Sequence, residues 1–222
     1  MIIKVCGMRN AENIRAVELS GADWQGFIFY PTSPRFVGER PDYLPARTKR
    51  AGVFVNADTG EILSLAKAFG LDLVQLYGDV PTAQCRELRA AGLSIIRAIS
   101  IGSSEDAAKA SAIQECDYLL FDTKTPSFGG SGKMFNWEVL QSYSGNTPFI
   151  ISGGIKESSL SDILRFKHPR FAGIDLNSGF ETSPAMKDAK ALARFISAIR
   201  EEENRLPTSQ AGNVPTPATN RP

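Results

Sequence analysis

Short hydrophobic runs alternate with longer amphipathic segments along most of this sequence. Eight runs are rich in β-branched and aromatic residues, and they cover residues 2–6, 24–29, 51–55, 71–76, 93–99, 117–122, 147–152 and 171–176. Most of them are nearly continuous apolar stretches rather than strict alternations of apolar and polar residues, which is the pattern of strands buried on both faces. We therefore predict eight buried strands.

The segments between these runs carry the signals of helices. Asn10 and Asp58 are residue types that cap helix N-termini, while Gly21 and Gly70 stand where the same helices would end. Seven helices are predicted, over residues 10–22, 58–70, 80–92, 103–114, 136–145, 156–167 and 186–203. The segment 41–50, PDYLPARTKR, gives the weakest helical signal, because its prolines leave room for only one or two turns.

This strict alternation of strand and helix predicts an α/β protein with a parallel sheet. Eight such units in roughly 200 residues fit a closed (β/α)8 TIM barrel better than an open sheet. We predict one barrel domain over residues 1–204, followed by a disordered tail over residues 205–222, which are rich in Pro, Thr and Asn and nearly free of hydrophobic side chains. In such barrels the active site lies on the loops that follow the carboxyl ends of the strands.

The composition excludes several classes of function. The chain has 25 basic and 24 acidic residues, a balance that does not predict a nucleic-acid partner or binding to an anionic membrane. It has one histidine, and its three cysteines lack the spacing of a zinc site or a disulfide framework, so we predict no metal. No apolar run of signal-peptide length occurs at the N-terminus, and charges interrupt the later hydrophobic stretches. We predict a soluble, cytoplasmic protein.

Glycines and small polar residues follow the last two predicted strands. Gly153 and Gly154 follow the seventh strand, and Ser178 and Gly179 follow the eighth. Barrels often bind phosphate with these two loops, because glycine lets backbone N–H groups approach the anion and a helix N-terminus adds a favourable dipole. Glycines of ordinary turns would give the same local sequence. The placement of these residues after both the seventh and the eighth strand nevertheless favours a phosphate site.

Two strand ends carry groups that are suited to proton transfer. Cys6 ends the first predicted strand and Asp122 ends the sixth, so both side chains can point into the mouth of the barrel. A free cysteine is more often a small buried hydrophobe, and an aspartate is often a turn or cap residue. A thiol facing a carboxyl group beside a phosphate site nevertheless suggests proton transfer on a sugar phosphate. Arg35, after the second strand, could pair with a substrate carboxylate, although a solvated surface arginine is the ordinary alternative.

Seven motifs, in order and at matching spacing, resemble the phosphoribosylanthranilate isomerase family. They are KVCGMR, GFIFYPTSPRFV, GVFVN, VQLYG, FDT…GGSGKMFNW, ISGGI and IDLNSGFE…KD, and together they extend from about Ile2 to Arg200. The resemblance implies a (β/α)8 barrel enzyme of tryptophan biosynthesis that needs no cofactor. Its reaction would be the Amadori rearrangement of N-(5-phosphoribosyl)anthranilate to 1-(2-carboxyphenylamino)-1-deoxyribulose 5-phosphate.

The resemblance also implies roles for the matching residues. Asp122 matches the general acid, which protonates the ribose ring oxygen so that the ring opens to a Schiff base. Cys6 matches the general base, which then removes the proton from C2 of the sugar, and Arg35 matches the residue that holds the anthranilate carboxylate. The other matches are the phosphate-binding residues Gly153, Gly154, Ser178 and Gly179, and a flexible loop that contains Gly129, Gly130 and Gly132.

These roles require particular protonation states. A free thiol has a pKa of about 8.5, so a base at Cys6 needs surroundings that favour the thiolate, and Lys4 or Arg9 could provide them. An acid at Asp122 must hold its proton near neutral pH. That requires partial burial or a nearby negative charge, such as the carboxylate of the substrate.

The fourth-strand motif departs from the family. It reads Gln75-Leu76-Tyr77-Gly78, whereas the family usually has QLHG. Tyrosine keeps a polar tip but carries no positive charge near neutral pH. We expect Gln75 and Tyr77 to line the substrate site. If the histidine of the family only packs or donates a hydrogen bond, Tyr77 can replace it, whereas a lost charge would shift the activity or its pH optimum.

Other interpretations remain open. An indole-glycerol-phosphate synthase would need a lysine at a strand end, and the aminoaldose isomerase of histidine biosynthesis would need aspartates that end strands 1 and 5, where this chain has Cys6 at the first position. A barrel that binds a phosphorylated ligand without catalysis would be expected to lose its acid or base first, and both are present. The predicted partner is a small-molecule substrate, and the chain could be a monomer or a homodimer.

Overall fold

Eight parallel strands close into a barrel in this computed structural model, which describes residues 1–124 and 135–205. The strands are β1 (Ile2–Cys6), β2 (Trp24–Ile28), β3 (Lys49–Val55), β4 (Leu73–Tyr77), β5 (Ser94–Ile101), β6 (Tyr118–Thr123), β7 (Phe149–Ile151) and β8 (Phe171–Leu176). Each strand pairs with the next, and β8 pairs with β1, which closes the barrel. All eight predicted strands and the predicted α/β barrel are confirmed.

Helices connect most of the strands on the outside of the barrel. The α-helices are α1 (Ala11–Glu18), α2 (Thr59–Phe69), α3 (Thr82–Ala90), α4 (Ser104–Ala110), α5 (Leu160–Arg165) and α6 (Ala189–Arg205), and 3-10 helices cover Trp137–Ser142, Glu157–Ser159 and Ser178–Phe180. The side chains of Asn10 and Asp58 cap α1 and α2, as predicted. Gly70 ends α2 with a φ of 59°, a left-handed conformation that glycine adopts without strain.

The segment 41–50 forms no helix, so the weakest helix prediction was wrong. The Glu18 carboxylate accepts hydrogen bonds from the backbone N–H groups of Ala46 and Arg47, at 2.6 and 2.5 Å, and from the Tyr43 hydroxyl at 2.5 Å. These N–H groups are therefore satisfied from α1 rather than within a helix. The end of the segment joins β3.

The chain between β8 and α6 also differs from the prediction. Met186 and Lys187 were predicted to begin the last helix, but they form β10 (Met186–Lys187), which pairs with β9 (Glu181–Ser183) in a two-stranded sheet. The helix begins later because the Asp188 side chain accepts the backbone N–H of Ala191 at 2.9 Å and thereby caps it. It extends to Arg205, one residue past the predicted domain boundary.

Two predictions fall on parts of the chain outside the described residues. The predicted tail lies there from residue 206 to residue 222, and so does the predicted flexible loop with Gly129, Gly130 and Gly132. Within the described ranges, no helix is long and apolar enough to cross a membrane.

The inside of the barrel is divided into an apolar floor and a polar mouth. The floor is a buried cluster of Trp24, Ala51, Leu73, Ile96, Ala98, Tyr118, Leu120, Ile150 and Ala172, separate from the larger core between strands and helices. Because alternate strand residues face the axis, Leu73, Gln75 and Tyr77 run up the inside of β4 toward its carboxyl end. The polar side chains thus lie above the packed apolar floor, at the carboxyl ends of the strands, where the active site is expected.

Candidate active site

Asp122 faces the mouth of the barrel from β6, as predicted for the general acid. It is nearly buried; its Oδ1 accepts the N–H of Thr123 at 2.9 Å, and its Oδ2 accepts the Tyr77 hydroxyl at 3.2 Å. Burial raises the pKa of Asp122 and the negative charge of Asp175 raises it further, while the two hydrogen bonds and the charge of Lys4 oppose the shift. The surroundings therefore favour the protonated acid more than water does.

Cys6 faces the same mouth from β1 and is 3% exposed. Burial raises the pKa of the Cys6 thiol and the negative charge of Asp175 raises it further; the positive charges of Lys4 and Lys187 oppose this shift without reversing it. Gly26 of β2 lies opposite Cys6 in the strand register, and a Cβ there would lie 2.8 Å from the Cys6 Sγ and 3.1 Å from the Lys4 Nζ. The glycine leaves the space that the thiol and the ammonium group occupy.

A buried ion pair acts electrostatically on both Cys6 and Asp122. The Lys4 Nζ lies 2.9 Å from the Asp175 Oδ1, with the two residues paired across β1 and β8. Burial lowers the pKa of Lys4, but Asp175 and Cys6 outweigh this effect and the pKa is raised. The other Asp175 oxygen accepts the Ser152 hydroxyl at 3.4 Å. Lys4 therefore stays charged beside the thiol, and Asp175 is held close enough to act on Asp122.

Tyr77 links the acid to the next layer of the barrel. Besides its bond to Asp122, its hydroxyl accepts the Gln75 Nε2 at 3.2 Å. Burial and the charges of Asp122 and Asp175 raise the pKa of Tyr77 well above its usual value, so the phenol stays neutral. Gln75 is buried one layer deeper than Tyr77 and supports it from below. Tyr77 therefore carries no positive charge, and it donates a hydrogen bond to Asp122.

Arg35 lies at the mouth, but it does not stand free. Its Nε lies 2.9 and 3.1 Å from the two carboxylate oxygens of Glu181, and its Nη2 lies 2.7 Å from Oε2. Lys187 also contacts this carboxylate, and its Nζ donates to the Asn177 Oδ1 at 2.8 Å. Burial would raise the pKa of Glu181, but the bonds to Arg35 and Lys187 outweigh it and the pKa is lowered. The three charged side chains form one buried group, which we call the mouth cluster.

The four predicted phosphate residues lie in two adjacent loops. Gly153 and Gly154, after β7, have φ values of 91° and 65°, which glycine tolerates best. Ser178 and Gly179 begin the 3-10 helix after β8, and a Cβ on Gly179 would lie 2.0 Å from the carbonyl oxygen of Ile155. The two loops therefore touch, and glycine permits the contact.

The loop after β7 also touches the acid. A Cβ on Gly153 would lie 2.2 Å from the Thr123 Oγ1 and 3.0 Å from the Asp122 Oδ1. Residues with candidate roles in phosphate binding and in proton transfer are thus direct neighbours, as one substrate that carries both a phosphate and a reacting sugar would require.

The sequence prediction did not include four of the polar residues at this site. Asp175, Ser152, Glu181 and Lys187 were given no role, and Lys4 was considered only for its closeness to Cys6. The Lys4–Cys6 spacing of two residues on a strand does place both on one face. Within residues 1–124 and 135–205, no group of three or more His, Cys, Asp or Glu side chains is arranged to hold a metal ion.

Comparison with known proteins adds to this geometry. A family model described as N-(5'phosphoribosyl)anthranilate (PRA) isomerase matches residues 3–198. The N-(5'-phosphoribosyl)anthranilate isomerase of Phocaeicola vulgatus is 54% identical over 203 residues, covering 91% of this chain and 99% of that protein.

Two solved structures are also similar. The crystal structure of phosphoribosyl anthranilate isomerase from Thermotoga maritima superimposes with a TM-score of 0.76 at 31% identity, covering 90% of this chain and 100% of that one. A phosphoribosyl anthranilate isomerase in complex with reduced 1-(o-carboxyphenylamino)-1-deoxyribulose 5-phosphate gives a TM-score of 0.74 at 28% identity, with the same coverage.

Proposed function

The chain belongs to the N-(5'-phosphoribosyl)anthranilate isomerase family, and from this we propose that Asp122 and Cys6 are the general acid and the general base of its reaction. The protein is an enzyme of tryptophan biosynthesis. It catalyses the Amadori rearrangement of the aminoaldose N-(5-phosphoribosyl)anthranilate to the aminoketose 1-(2-carboxyphenylamino)-1-deoxyribulose 5-phosphate.

In the first step, the ring of the sugar opens. Asp122 donates its proton to the ribose ring oxygen while the bond from that oxygen to C1 breaks. The nitrogen lone pair of the anthranilate forms the C1=N bond, which leaves a protonated Schiff base and an Asp122 carboxylate. Burial and the charge of Asp175 support this role, because both keep the proton on Asp122 to a higher pH.

In the second step, the proton moves from C2. The Cys6 thiolate takes it, the electrons of the C–H bond form the C1=C2 bond, and the electrons of the C=N bond return to nitrogen. The resulting enol becomes the ketone when its hydroxyl proton is lost and C1 gains a proton. The adjacent ammonium group of Lys4 supports this role, because its charge favours the thiolate.

The remaining site residues bind the two ends of the substrate in this proposal. Arg35 receives the anthranilate carboxylate, and the loops with Gly153, Gly154, Ser178 and Gly179 receive the phosphate. Tyr77, supported by Gln75, lines the site and orients Asp122. The observation that carries the proposal is the meeting of a buried carboxyl group and a buried thiol in one barrel mouth, beside two touching glycine loops.

We also place the enzyme in the cytoplasm. Its three cysteines, Cys6, Cys85 and Cys116, are free and buried. Free thiols persist where the surroundings are reducing.

The acid–base assignment is tested with the substrate made in situ from anthranilate and phosphoribosyl pyrophosphate by the preceding pathway enzyme. Loss of its fluorescence is followed for the wild type, Cys6→Ala and Asp122→Asn, each of which should lose about 10²–10⁴-fold in rate. Cys116→Ala and Asp117→Asn, at the other end of β6, are matched controls that should keep their rates. Wild-type turnover with an unchanged Cys6→Ala rate would remove Cys6 as the base, and an unchanged Asp122→Asn rate would remove Asp122 as the acid.

A further inference from the structure

The Arg35 guanidinium is already engaged on one side before any substrate arrives. Its Nε and Nη2 both donate to the Glu181 carboxylate, at distances between 2.7 and 3.1 Å, and the two side chains are 11% and 6% exposed. A guanidinium has five N–H donors in a rigid fork. The pairing with Glu181 uses the edge formed by Nε and Nη2. Within residues 1–124 and 135–205 no group accepts a hydrogen bond from the other edge, formed by Nη1 and the second Nη2 hydrogen, so that edge is left for another anion.

The charges of the mouth cluster also leave room for an anion. Arg35 and Glu181 alone would be a neutral pair with little attraction for a carboxylate. Lys187 adds a second positive charge on a fully buried side chain; burial lowers its pKa, and the adjacent Glu181 carboxylate favours the charged form. The three residues together then carry one net positive charge. A buried net charge is unfavourable unless it is compensated, and an anionic substrate group would compensate it.

Several contacts hold the cluster in place from behind. The backbone N–H of Lys187 donates to the Asn13 Oδ1 at 2.9 Å, and the Asn13 Nδ2 donates to the Lys187 carbonyl at 2.8 Å. The Lys187 ammonium group also donates to Asn177, which precedes the loop with Ser178 and Gly179. The cluster is thus fixed to α1 on one side and to the loop after β8 on the other.

The cluster also lies directly beside the base. Gly7 follows Cys6, and a Cβ on Gly7 would lie 2.7 Å from the Arg35 Cδ, 2.9 Å from the Asn177 Oδ1 and 3.3 Å from the Lys187 Nζ. Gly7 thus lies between the base and the cluster, where a side chain would collide with the cluster. A carboxylate bound here would hold the aromatic ring of the substrate next to the reacting sugar carbons.

We propose that Glu181 and Lys187 are positioning residues, which hold the free edge of the Arg35 guanidinium toward the substrate carboxylate. Glu181 sets the plane of the guanidinium, and Lys187 cancels the charge of Glu181 so that the cluster still attracts an anion. This inference rests on the proposed function, since the contact between Arg35 and the carboxylate is part of that proposal.

The test compares two ligands that differ only in the carboxyl group. One is reduced 1-(o-carboxyphenylamino)-1-deoxyribulose 5-phosphate, an analogue of the product. The other is the same reduced compound with a phenylamino group, which lacks the carboxyl group. Calorimetry gives the preference of each enzyme variant for the first ligand, as a ratio of Kd values. We expect Glu181→Gln to lower this preference about 10–100-fold while the affinity for the second ligand stays the same. A merely structural role would weaken both ligands together.

The other variants separate the possible outcomes. Arg35→Met should abolish the preference; if it does not, the carboxylate site of the proposed function is wrong. If Arg35→Met abolishes the preference and Glu181→Gln leaves it unchanged, only the positioning role is overturned. If Glu181→Gln strengthens binding of the carboxylate ligand, Glu181 competes with the substrate and the inference is likewise wrong.

Two further variants complete the design. Lys187→Met and Glu181→Asp are each expected to lower the preference for the carboxylate ligand as well. If the thermal unfolding curve of Glu181→Gln shows that this variant does not fold, these two variants decide the question. Unchanged preference in both would overturn the proposal. Glu157→Gln makes the same chemical change in the exposed pair with Arg194 and should bind both ligands as the wild type does.

Discussion

Two buried ion clusters lie on either side of Cys6, and they differ in origin and in charge. The inner pair, Lys4 and Asp175, comes from neighbouring barrel strands and is neutral. The mouth cluster of Arg35, Glu181 and Lys187 comes from a loop and a two-stranded sheet and carries a net positive charge. A buried ion pair is weak support for stability, because desolvation offsets much of the attraction. The difference in net charge fits the division of roles that we propose, in which the inner pair acts on protons and the mouth cluster acts on an anion.

The inner pair can influence the two reacting groups in opposite ways. Its ammonium group favours the Cys6 thiolate, and its carboxylate disfavours ionisation of Asp122. The usual pKa values of a thiol and a carboxyl group lie far apart, and burial raises both. Between the two pKa values, the enzyme form with a Cys6 thiolate and a protonated Asp122 is a small fraction of all enzyme molecules, and this fraction does not change with pH. The lower limb of the kcat/KM profile should report Asp122, and the upper limb should report Cys6.

The largest expected effects come from breaking the inner pair. Lys4→Met and Asp175→Asn each leave one buried charge without its partner and should cost about 3–5 kcal/mol in the free energy of unfolding. Their effects on Cys6 should have opposite signs. Lys4→Met removes a positive neighbour and raises the pKa of Cys6, whereas Asp175→Asn removes a negative neighbour and lowers it.

Thiolate absorbance at 240 nm measures these shifts, with each Cys6→Ser counterpart subtracted to remove Cys85 and Cys116. Asp175→Asn should also lower the pKa of Asp122, which moves the lower limb of the kcat/KM profile to lower pH. If both substitutions moved the pKa of Cys6 in the same direction, the pair would be only structural and its contrast with the mouth cluster would be lost.

The inner pair also marks a limit of what the sequence could predict. Eight strands, and the positions of Cys6 and Asp122 at strand ends, follow from local apolar runs and one rule about barrels. Asp175 does not follow, because the pairing of β7 with β8 shifts register between Phe149 and Ile150. Ala172 and Asp175 both face inward although they are three residues apart, which strict alternation forbids.

The mouth cluster was hidden for a different reason. Arg35 and Glu181 are 146 residues apart, and the sequence around each of them contains no local pattern that predicts their pairing. Lys187 was predicted to lie in a helix, where its side chain would have had another direction. Long-range pairs between loops depend on how the closed barrel brings its loops together, and a local sequence pattern does not contain that information.

The second-largest effects are expected from two matched glycine substitutions, one beside each cluster. Gly26→Ala places a methyl group 2.8 Å from the Cys6 Sγ and 3.1 Å from the Lys4 Nζ. Gly7→Ala places one 2.7 Å from the Arg35 Cδ, at a φ of 79° that alanine tolerates poorly. Misplacement on this scale should lower kcat/KM about 10–100-fold. We expect the loss mainly as a lower kcat for Gly26→Ala and mainly as a higher KM for Gly7→Ala. Steady-state kinetics checks the split, and equal changes in both parameters for both variants would contradict the division of roles.

Tyr77 gives the smallest expected effect, because it changes one hydrogen bond to the acid and leaves both ion clusters intact. Tyr77→Phe removes the bond to the Asp122 Oδ2 and the bond from the Gln75 Nε2. Loss of the bond to the acid should cost about 0.5–1.5 kcal/mol, or about two- to tenfold in rate. That bond stabilises the carboxylate, so its loss raises the pKa of Asp122 and moves the lower limb of the kcat/KM profile to higher pH, opposite to Asp175→Asn. Tyr118→Phe, one side chain of the apolar floor, is the control and should leave the limb in place. A lower limb that did not move in Tyr77→Phe would mean that Asp122 is tuned by burial and by the inner pair alone, and that the tyrosine only fills the space of the histidine usual in the family.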